Sequence, residues 1–231
     1  MGTDDLFYKE RIKRAIAEKR RIEFRSKHKE VILIISEGKK TEPYYFDSLR
    51  EHLGLNKESV RIPKNYGGND PKTLVGIAEE EFKRELKKSP PGYDRILVVF
   101  DKDTHASYDA AKDMISKLNK KYKDKFKAIT SVPCFEFWLL LHFKYTSKPY
   151  QSNKKSVCDC VTDDLKKYIP DYDEGSRDTF ENTKNHLDNA FDHAEKLEID
   201  RESAGTDNPS TNVHHLIKYL CCELDKQRNG R

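Results

Sequence analysis

The chain has 231 residues, of which 35% are hydrophobic and 36% charged, with a formal net charge of +4. This length suits one hydrophobic core, or one core with a small accessory lobe. No apolar run reaches the ~20 residues of a membrane helix, and the charged N-terminal residues lack a signal-peptide core. These features exclude a membrane-spanning protein and predict a cytoplasmic one. The five cysteines include no CxxC pair, which argues against a structural zinc site.

The first predicted element is a basic helix over residues 7–29. Between Lys9 and Lys29 there are ten Lys or Arg against three Glu, a local excess of +7. Such a block can contact phosphates or a partner protein, and it can equally be a solvated helix face. Both interpretations stay open.

Strands and helices then alternate. A continuous apolar run at residues 31–35, β-branched except for Leu33, predicts a strand covered on both faces. Thr41 is the expected N-cap of the helix that follows it. Further strands are predicted near residues 59–62, 95–100 and 126–130, and further helices over 71–86, 108–118 and 135–143. Asp70 is the expected cap of the helix that begins at Pro71. The alternation over residues 31–144 predicts an α/β fold with a parallel sheet and right-handed crossovers.

The remainder reads as mainly helical, with helices predicted over residues 157–169, 180–199 and 213–224 and an acidic loop at 171–176. We therefore divide the chain into a basic N-terminal helical extension (1–30), a core (31–145) and a helical C-terminal region packing on that core (146–231).

Carboxylates follow two of the strong strands. Glu37 comes after the first strand, and Asp101 and Asp103 come at the end of the second. Ligands of open parallel sheets bind beyond the carboxyl ends of the strands, and hard divalent cations prefer oxygen ligands. The pattern favours a cation site for one ion or two. The alternative is that the Asp-x-Asp segment only forms a loop and a helix cap.

Glu136 lies within the apolar run 135–143. A carboxylate there must be paired, protonated or bound to metal, because an unpaired buried charge is costly. It is a further candidate ligand, or else a first-turn cap of its helix.

Four lysines are candidates for phosphate contacts, because they lie on loops at the same predicted sheet edge: Lys39, Lys40, Lys64 and Lys102. His105 and His142 have no matching nucleophile, and no catalytic role is assigned to them.

Four blocks in order resemble the RloB-like proteins. Residues 36–46 read SEGKKTEPYYF, similar to an EGxxTExxYF opening, and residues 100–103 resemble the family's DxD segment. Residues 131–143, SVPCFEFWLLLHF, are similar to its central block, and residues 208–213, NPSTNV, match its C-terminal NPSTxV.

The resemblance implies a Toprim-like core and a nuclease associated with abortive phage resistance. It implies Glu37 as general acid/base, Asp101 and Asp103 as ligands of Mg²⁺ or Mn²⁺, and Glu136 as an accessory ligand. The implied partners are a nucleic acid substrate, either RNA (including tRNA) or DNA, and an ABC- or AAA-type ATPase. A homo-oligomer is left open. No third acid follows the DxD segment before Asp109, which leaves a second metal site open.

Two rival interpretations remain. Residues 96–104 also fit the hhhhDxDxT opening of haloacid-dehalogenase-type phosphatases, in which Asp101 would be the nucleophile and Asp103 an acid/base. That fold usually begins with this strand, whereas here a strong strand precedes it. The second rival is a non-catalytic module that binds nucleic acid or the ATPase.

Overall fold

The protein is described by a computed structural model that covers residues 30–229 except 65, 69, 89–91, 104 and 152–153, with the backbone alone for 225–229. The predicted basic helix over residues 7–29 lies outside the described residues. Within them, no helix is long and apolar enough to cross a membrane.

The centre of the fold is a five-stranded sheet in the order β2-β1-β3-β4-β5. Its strands are β1 (Ile32–Ser36), β2 (Val60–Arg61), β3 (Arg95–Asp101), β4 (Phe126–Val132) and β5 (Ser210–Thr211). The first four strands are parallel, and β5 is antiparallel to β4. The predicted α/β fold with a parallel sheet is thus confirmed, while β5 was not predicted.

Helices flank the sheet. They are α1 (Thr41–His52), α2 (Pro71–Leu86), α3 (Tyr108–Tyr122), α4 (Glu136–Leu141), α5 (Val157–Leu165), α6 (Thr179–Thr183), α7 (Leu187–Ala204) and α8 (Val213–Asn229). The single helix predicted over residues 180–199 is instead α6, a 3-10 turn at Lys184–His186, and α7.

The predicted N-cap is confirmed at α2 and is wrong at α1. Asp70 caps α2 as predicted, accepting hydrogen bonds from the amides of Lys72 (3.1 Å) and Thr73 (3.4 Å). At α1 the N-cap is Lys40 rather than Thr41. The Thr41 hydroxyl accepts a hydrogen bond from the Gly175 amide over 2.9 Å, so it ties α1 to the C-terminal region.

Strand β1 is buried on both faces, which explains its continuous apolar sequence. Ile32 and Ile34 point to the core formed with α1 and the helices from α4 onward. Leu33 and Ile35 point to the core formed with α2 and α3. Alternate residues of a strand face opposite sides of the sheet, and each such side chain contributes roughly 1.5–3 kcal/mol when buried.

Helix α4 is buried on every side, as its sequence predicts. Its polar groups have partners: the Trp138 indole donates to the Tyr45 hydroxyl over 2.9 Å, and that hydroxyl lies 3.4 Å from Nε2 of His142. Burial lowers the pKa of His142 to about 4, so this ring is neutral near pH 7. The network fixes α4 against α1, and both helices carry site residues.

The NPSTNV block closes the edge of the sheet. Asn208 makes two hydrogen bonds with the backbone of Tyr150, accepting from its amide (3.1 Å) and donating to its carbonyl (2.8 Å). The Asn212 side chain accepts a hydrogen bond from the Thr130 amide over 2.6 Å. It thus supplies an acceptor for a backbone donor of β4 that lies beyond the two residues of β5. The core that contains β1 also contains Val161 and Phe180, and the predicted boundary at residue 145 stays a prediction.

Candidate active site

A cavity of about 640 Å³ opens at the carboxyl ends of β1 and β3. Its described ionisable lining residues are Glu37, Lys39, Lys40, Glu42, Asp70, Asp101, Asp103, His105, Cys134, Glu136, Cys158 and Glu174. Seven of these are carboxylic acids and two are lysines, so the cavity favours cations. All four predicted acids lie in it, although their chemical roles stay predictions.

Glu37 follows β1 and bridges to the next strand. Its amide donates to the Val99 carbonyl over 2.9 Å, and its Oε2 accepts from the Asp101 amide over 3.0 Å. Its other oxygen, Oε1, lies 2.7 Å from Nε2 of His105. Burial raises the pKa of Glu37, while the Asp101 amide and His105 partly oppose the shift. The carboxyl is therefore held in one orientation with a tendency to keep a proton.

Asp101 is the last residue of β3 and is half-buried as a whole. Its Oδ2 accepts a hydrogen bond from the Phe135 amide over 3.0 Å. Its Oδ1 is buried, and no described residue donates a hydrogen bond to it. Burial and then the carboxylates of Glu42 and Glu136 raise its pKa well above the usual range. An oxygen in this state lacks the partner that a cation would supply.

Glu42 lies in the first turn of α1 and is 5% exposed. Its Oε1 accepts from the Gly38 amide over 3.1 Å. Burial, followed by the charges of Glu136 and Glu37, raises its pKa to about 7. Sequence reasoning gave no role to this residue, because an acid in a first helical turn is typical of any helix.

Glu136 is in the first turn of α4 and also faces the cavity. Its Oε1 accepts a hydrogen bond from the Tyr172 hydroxyl over 2.8 Å. The carboxylate in this apolar segment is thus hydrogen-bonded and directed to a polar cavity, which explains how the fold tolerates it.

Asp103 differs from the buried acids because it is exposed. It has a positive φ of 26°, and its amide donates to the Pro133 carbonyl over 2.9 Å. This turn ends β3 and brings Asp103 to the lining of the cavity rather than to its buried part.

The structure brings together two of the four predicted phosphate-binding lysines. Lys39 and Lys40 line the cavity and are exposed. Lys64 instead pairs with Asp47 over 2.7 Å, and Lys102 pairs with Asp207 over 2.5 Å. Neither is among the described residues that line the cavity.

Two further acids and one histidine in the lining were not anticipated from the sequence: Asp70, Glu174 and His105. Asp70 was identified only as a helix cap, a role that it keeps; hydrogen bonds from the hydroxyls of Thr73 and Ser107 lower its pKa to about 2. His105 follows the DxD segment closely, which is the only sequence signal for it. Glu174 reaches the cavity through the packing of the C-terminal region.

Fold and site together define the chain as an α/β protein with an acidic cavity at the carboxyl edge of a mainly parallel sheet. The sequence model of the family described as RloB-like protein matches residues 32–220. The chain therefore belongs to the RloB-like family. No curated protein matches it significantly. No solved structure matches it significantly either.

Proposed function

We propose that this protein is a divalent-metal-dependent nuclease of an anti-phage system. The observation that carries the proposal is the buried Oδ1 of Asp101, to which no described residue donates, in a cluster with Glu37, Glu42 and Glu136. Burial and the charges of Glu42, Glu136 and Glu37 raise the pKa of Asp101, so the cluster favours a proton or a cation among its carboxylates. Carboxylate oxygens are ligands of Mg²⁺ and Mn²⁺.

The donor set fits such a cation. Asp101 would hold it through Oδ1, with Glu42 and Glu136 beside it and Asp103 at the exposed part of the cavity. When bound, the ion would stabilise the negative charge that develops on a phosphate during phosphodiester cleavage. The hydrogen bond from Phe135 would keep the Asp101 carboxylate oriented.

Glu37 is the proposed general acid/base. Burial raises its pKa, which brings a carboxyl closer to the pH at which it can both accept and release a proton. The Asp101 amide and His105 each contact one of its oxygens, so His105 is a positioning residue. Lys39 and Lys40 would contact the phosphate backbone of the substrate.

The biological setting rests on the family. Membership of the RloB-like family supports a role in abortive phage resistance, with control by an ABC- or AAA-type ATPase. The substrate is RNA, including tRNA, or DNA.

The test is cleavage of total RNA, tRNA and plasmid DNA by the purified chain, alone and with its ATPase, in Mg²⁺, Mn²⁺ or chelator. Wild type is compared with Asp101→Asn and Glu37→Gln. Asp113→Asn, an exposed residue of α3, is the matched control. We expect cleavage by wild type and Asp113→Asn only. If all four proteins behave alike with every substrate, alone and in the complex, the nuclease proposal is wrong and the non-catalytic interpretation is favoured.

The same proteins can also be used to distinguish a nuclease from a phosphatase. A phosphatase with Asp101 as nucleophile would form a stable beryllium fluoride adduct at that residue and hydrolyse phosphate monoesters. We expect neither result, because Oδ2 of Asp101 is engaged by a backbone amide and Oδ1 is the atom proposed to bind the metal.

A further inference from the structure

A second group of possible metal ligands lies in the helical C-terminal region. Glu198 is in α7, and His214 and His215 are in the first turn of α8. None of the three is among the described residues that line the acidic cavity. Helix α7 packs against both β5 and α8, and this packing brings the three side chains together.

The contacts within this group are close and centred on the Glu198 carboxylate. Its Oε1 lies 2.8 Å from Nε2 of His215, and its Oε2 lies 3.5 Å from Nε2 of His214. The two imidazole rings are 3.9 Å apart between centroids. Two histidine nitrogens thus converge on one carboxylate.

His214 is the residue that a purely structural role explains least. Its side chain is fully buried; Nδ1 has no hydrogen-bond partner among the described residues, and Nε2 has only the Glu198 carboxylate, 3.5 Å away. An unsatisfied buried polar atom costs roughly 1–3 kcal/mol. A metal ion bonded to Nε2 would satisfy the nitrogen that points toward Glu198.

The spacing is suited to a small ion. One ligand atom from each residue lies within 4.8 Å of the other two. Ligands about 2.1 Å from a tetrahedral ion are about 3.4 Å apart, so small side-chain rotations would complete the geometry. Glu198 also borders a second cavity of about 640 Å³, beside Arg201 and Thr206, from which water could occupy the remaining coordination position.

We propose that Glu198, His214 and His215 form a binding site for a borderline transition metal, Zn²⁺ above all. Two imidazoles and one carboxylate make a donor set typical of zinc, whereas Mg²⁺ prefers oxygen alone. With three protein ligands the site would keep one open position. The ion would join α7 to α8 directly after β5.

The first measurement is calorimetric titration of the full chain with Zn²⁺, using Asp101→Asn as the parent to weaken binding in the acidic cavity. We expect one class of Zn²⁺ site that survives in Asp101→Asn. Adding His215→Ala or Glu198→Gln should weaken it at least about 100-fold, because groups outside a ligand set already change metal affinity 10- to 100-fold. His215 is 40% exposed and Glu198 35% exposed at the side chain, so both variants are expected to fold.

The matched control is Glu202→Gln, which lies one turn further along α7 and borders the same second cavity. It should bind Zn²⁺ as the parent does. Histidine-ring NMR gives an independent readout: Zn²⁺ should shift the signals of His214 and His215 and leave those of His186 unchanged. The proposal is overturned if the parent shows no such site, or if His215→Ala and Glu202→Gln bind Zn²⁺ equally. Both results are independent of nuclease activity.

Discussion

Gly38 and Glu42 are matched to each other at the floor of the cavity. The Gly38 amide donates to Oε1 of Glu42 over 3.1 Å, and a Cβ on residue 38 would overlap the same carboxylate. A side chain on residue 38 would therefore require the Glu42 carboxylate to move from its present position. This relationship gives a physical reason for the glycine that follows Glu37.

Gly38→Ala should displace Glu42 and lower the affinity for Mn²⁺ at least about tenfold, because the methyl group occupies the space of the carboxylate. Titration calorimetry measures this. Gly76→Ala in α2 is the control, since no described atom lies within 4 Å of its added Cβ. It should leave metal binding unchanged and raise the free energy of unfolding by about 0.5–1 kcal/mol. Equal affinities in the two variants would contradict the proposed fit.

Asp101→Asn should stabilise the metal-free protein while abolishing activity. The substitution removes a buried charge from among Glu37, Glu42 and Glu136 and preserves an acceptor for the Phe135 amide. We expect the free energy of unfolding in chelator to rise by about 1–3 kcal/mol, because the new amide NH2 can donate to the neighbouring carboxylates where Oδ1 had no donor. Urea denaturation with and without Mn²⁺ tests this: wild type should gain stability from the ion and the variant should not. A variant less stable than wild type in chelator would argue that the cluster is not strained.

Glu42 should make stability depend on pH. Its pKa is raised from 4.5 to about 7 in the folded protein, so the folded state binds more protons than the unfolded state between these values. The contribution of Glu42 to stability is therefore full below pH 4.5 and is lost as the pH rises through 7. Its full size is roughly 3 kcal/mol.

The effect of Glu42 is measured as the difference in the free energy of unfolding between a Glu42 variant and wild type, because other groups also change stability with pH. Buried His142 and His214 have pKa values lowered to about 4, and they change stability in the opposite direction between about pH 4 and 6.5. The free energy of unfolding of Glu42→Gln minus that of wild type, in chelator, should rise by the stated amount from pH 4.5 to 7.5. A flat difference would show that Glu42 titrates normally.

His105→Ala should move the pH profile of nucleic acid cleavage to higher pH. His105 lowers the pKa of Glu37 against the effect of burial, so its removal raises that pKa further. The limb of kcat/KM that reports Glu37 should shift upward whether Glu37 acts as base or as acid. His52→Ala, an exposed histidine of α1, should leave the profile in place. Loss of rate with no displacement of the profile would leave His105 without the positioning role.

Asn212→Ala should lower the free energy of unfolding by about 1–3 kcal/mol, because it leaves the Thr130 amide in β4 without its acceptor. Thermal and urea denaturation measure the loss. Asn185→Ala, exposed in the 3-10 turn before α7, should be within about 0.5 kcal/mol of wild type, the usual range for surface substitutions.

The sequence was most informative where local pattern and global topology coincide. The apolar runs of β1 and β3 specify buried parallel strands, and parallel strands place the residues after them at one edge, which predicts the meeting of Glu37 and Asp101. The sequence was least informative for very short elements and for side chains whose partners are distant in the sequence. Strand β5 has two residues and no periodicity to detect. Lys64 and Lys102 form ion pairs with Asp47 and Asp207, which lie 17 and 105 residues away in the sequence.

Tyr172 and Gly175 lie in the segment between α5 and α6 and hold residues of the cavity lining. The Tyr172 hydroxyl donates a hydrogen bond to Glu136, and the Gly175 amide donates one to Thr41. An excised fragment ending near residue 145 would keep every acid named from the sequence and lose the groups that hold two of the walls in place. Such a fragment is therefore a poor substitute for the whole chain in assays of metal binding or cleavage.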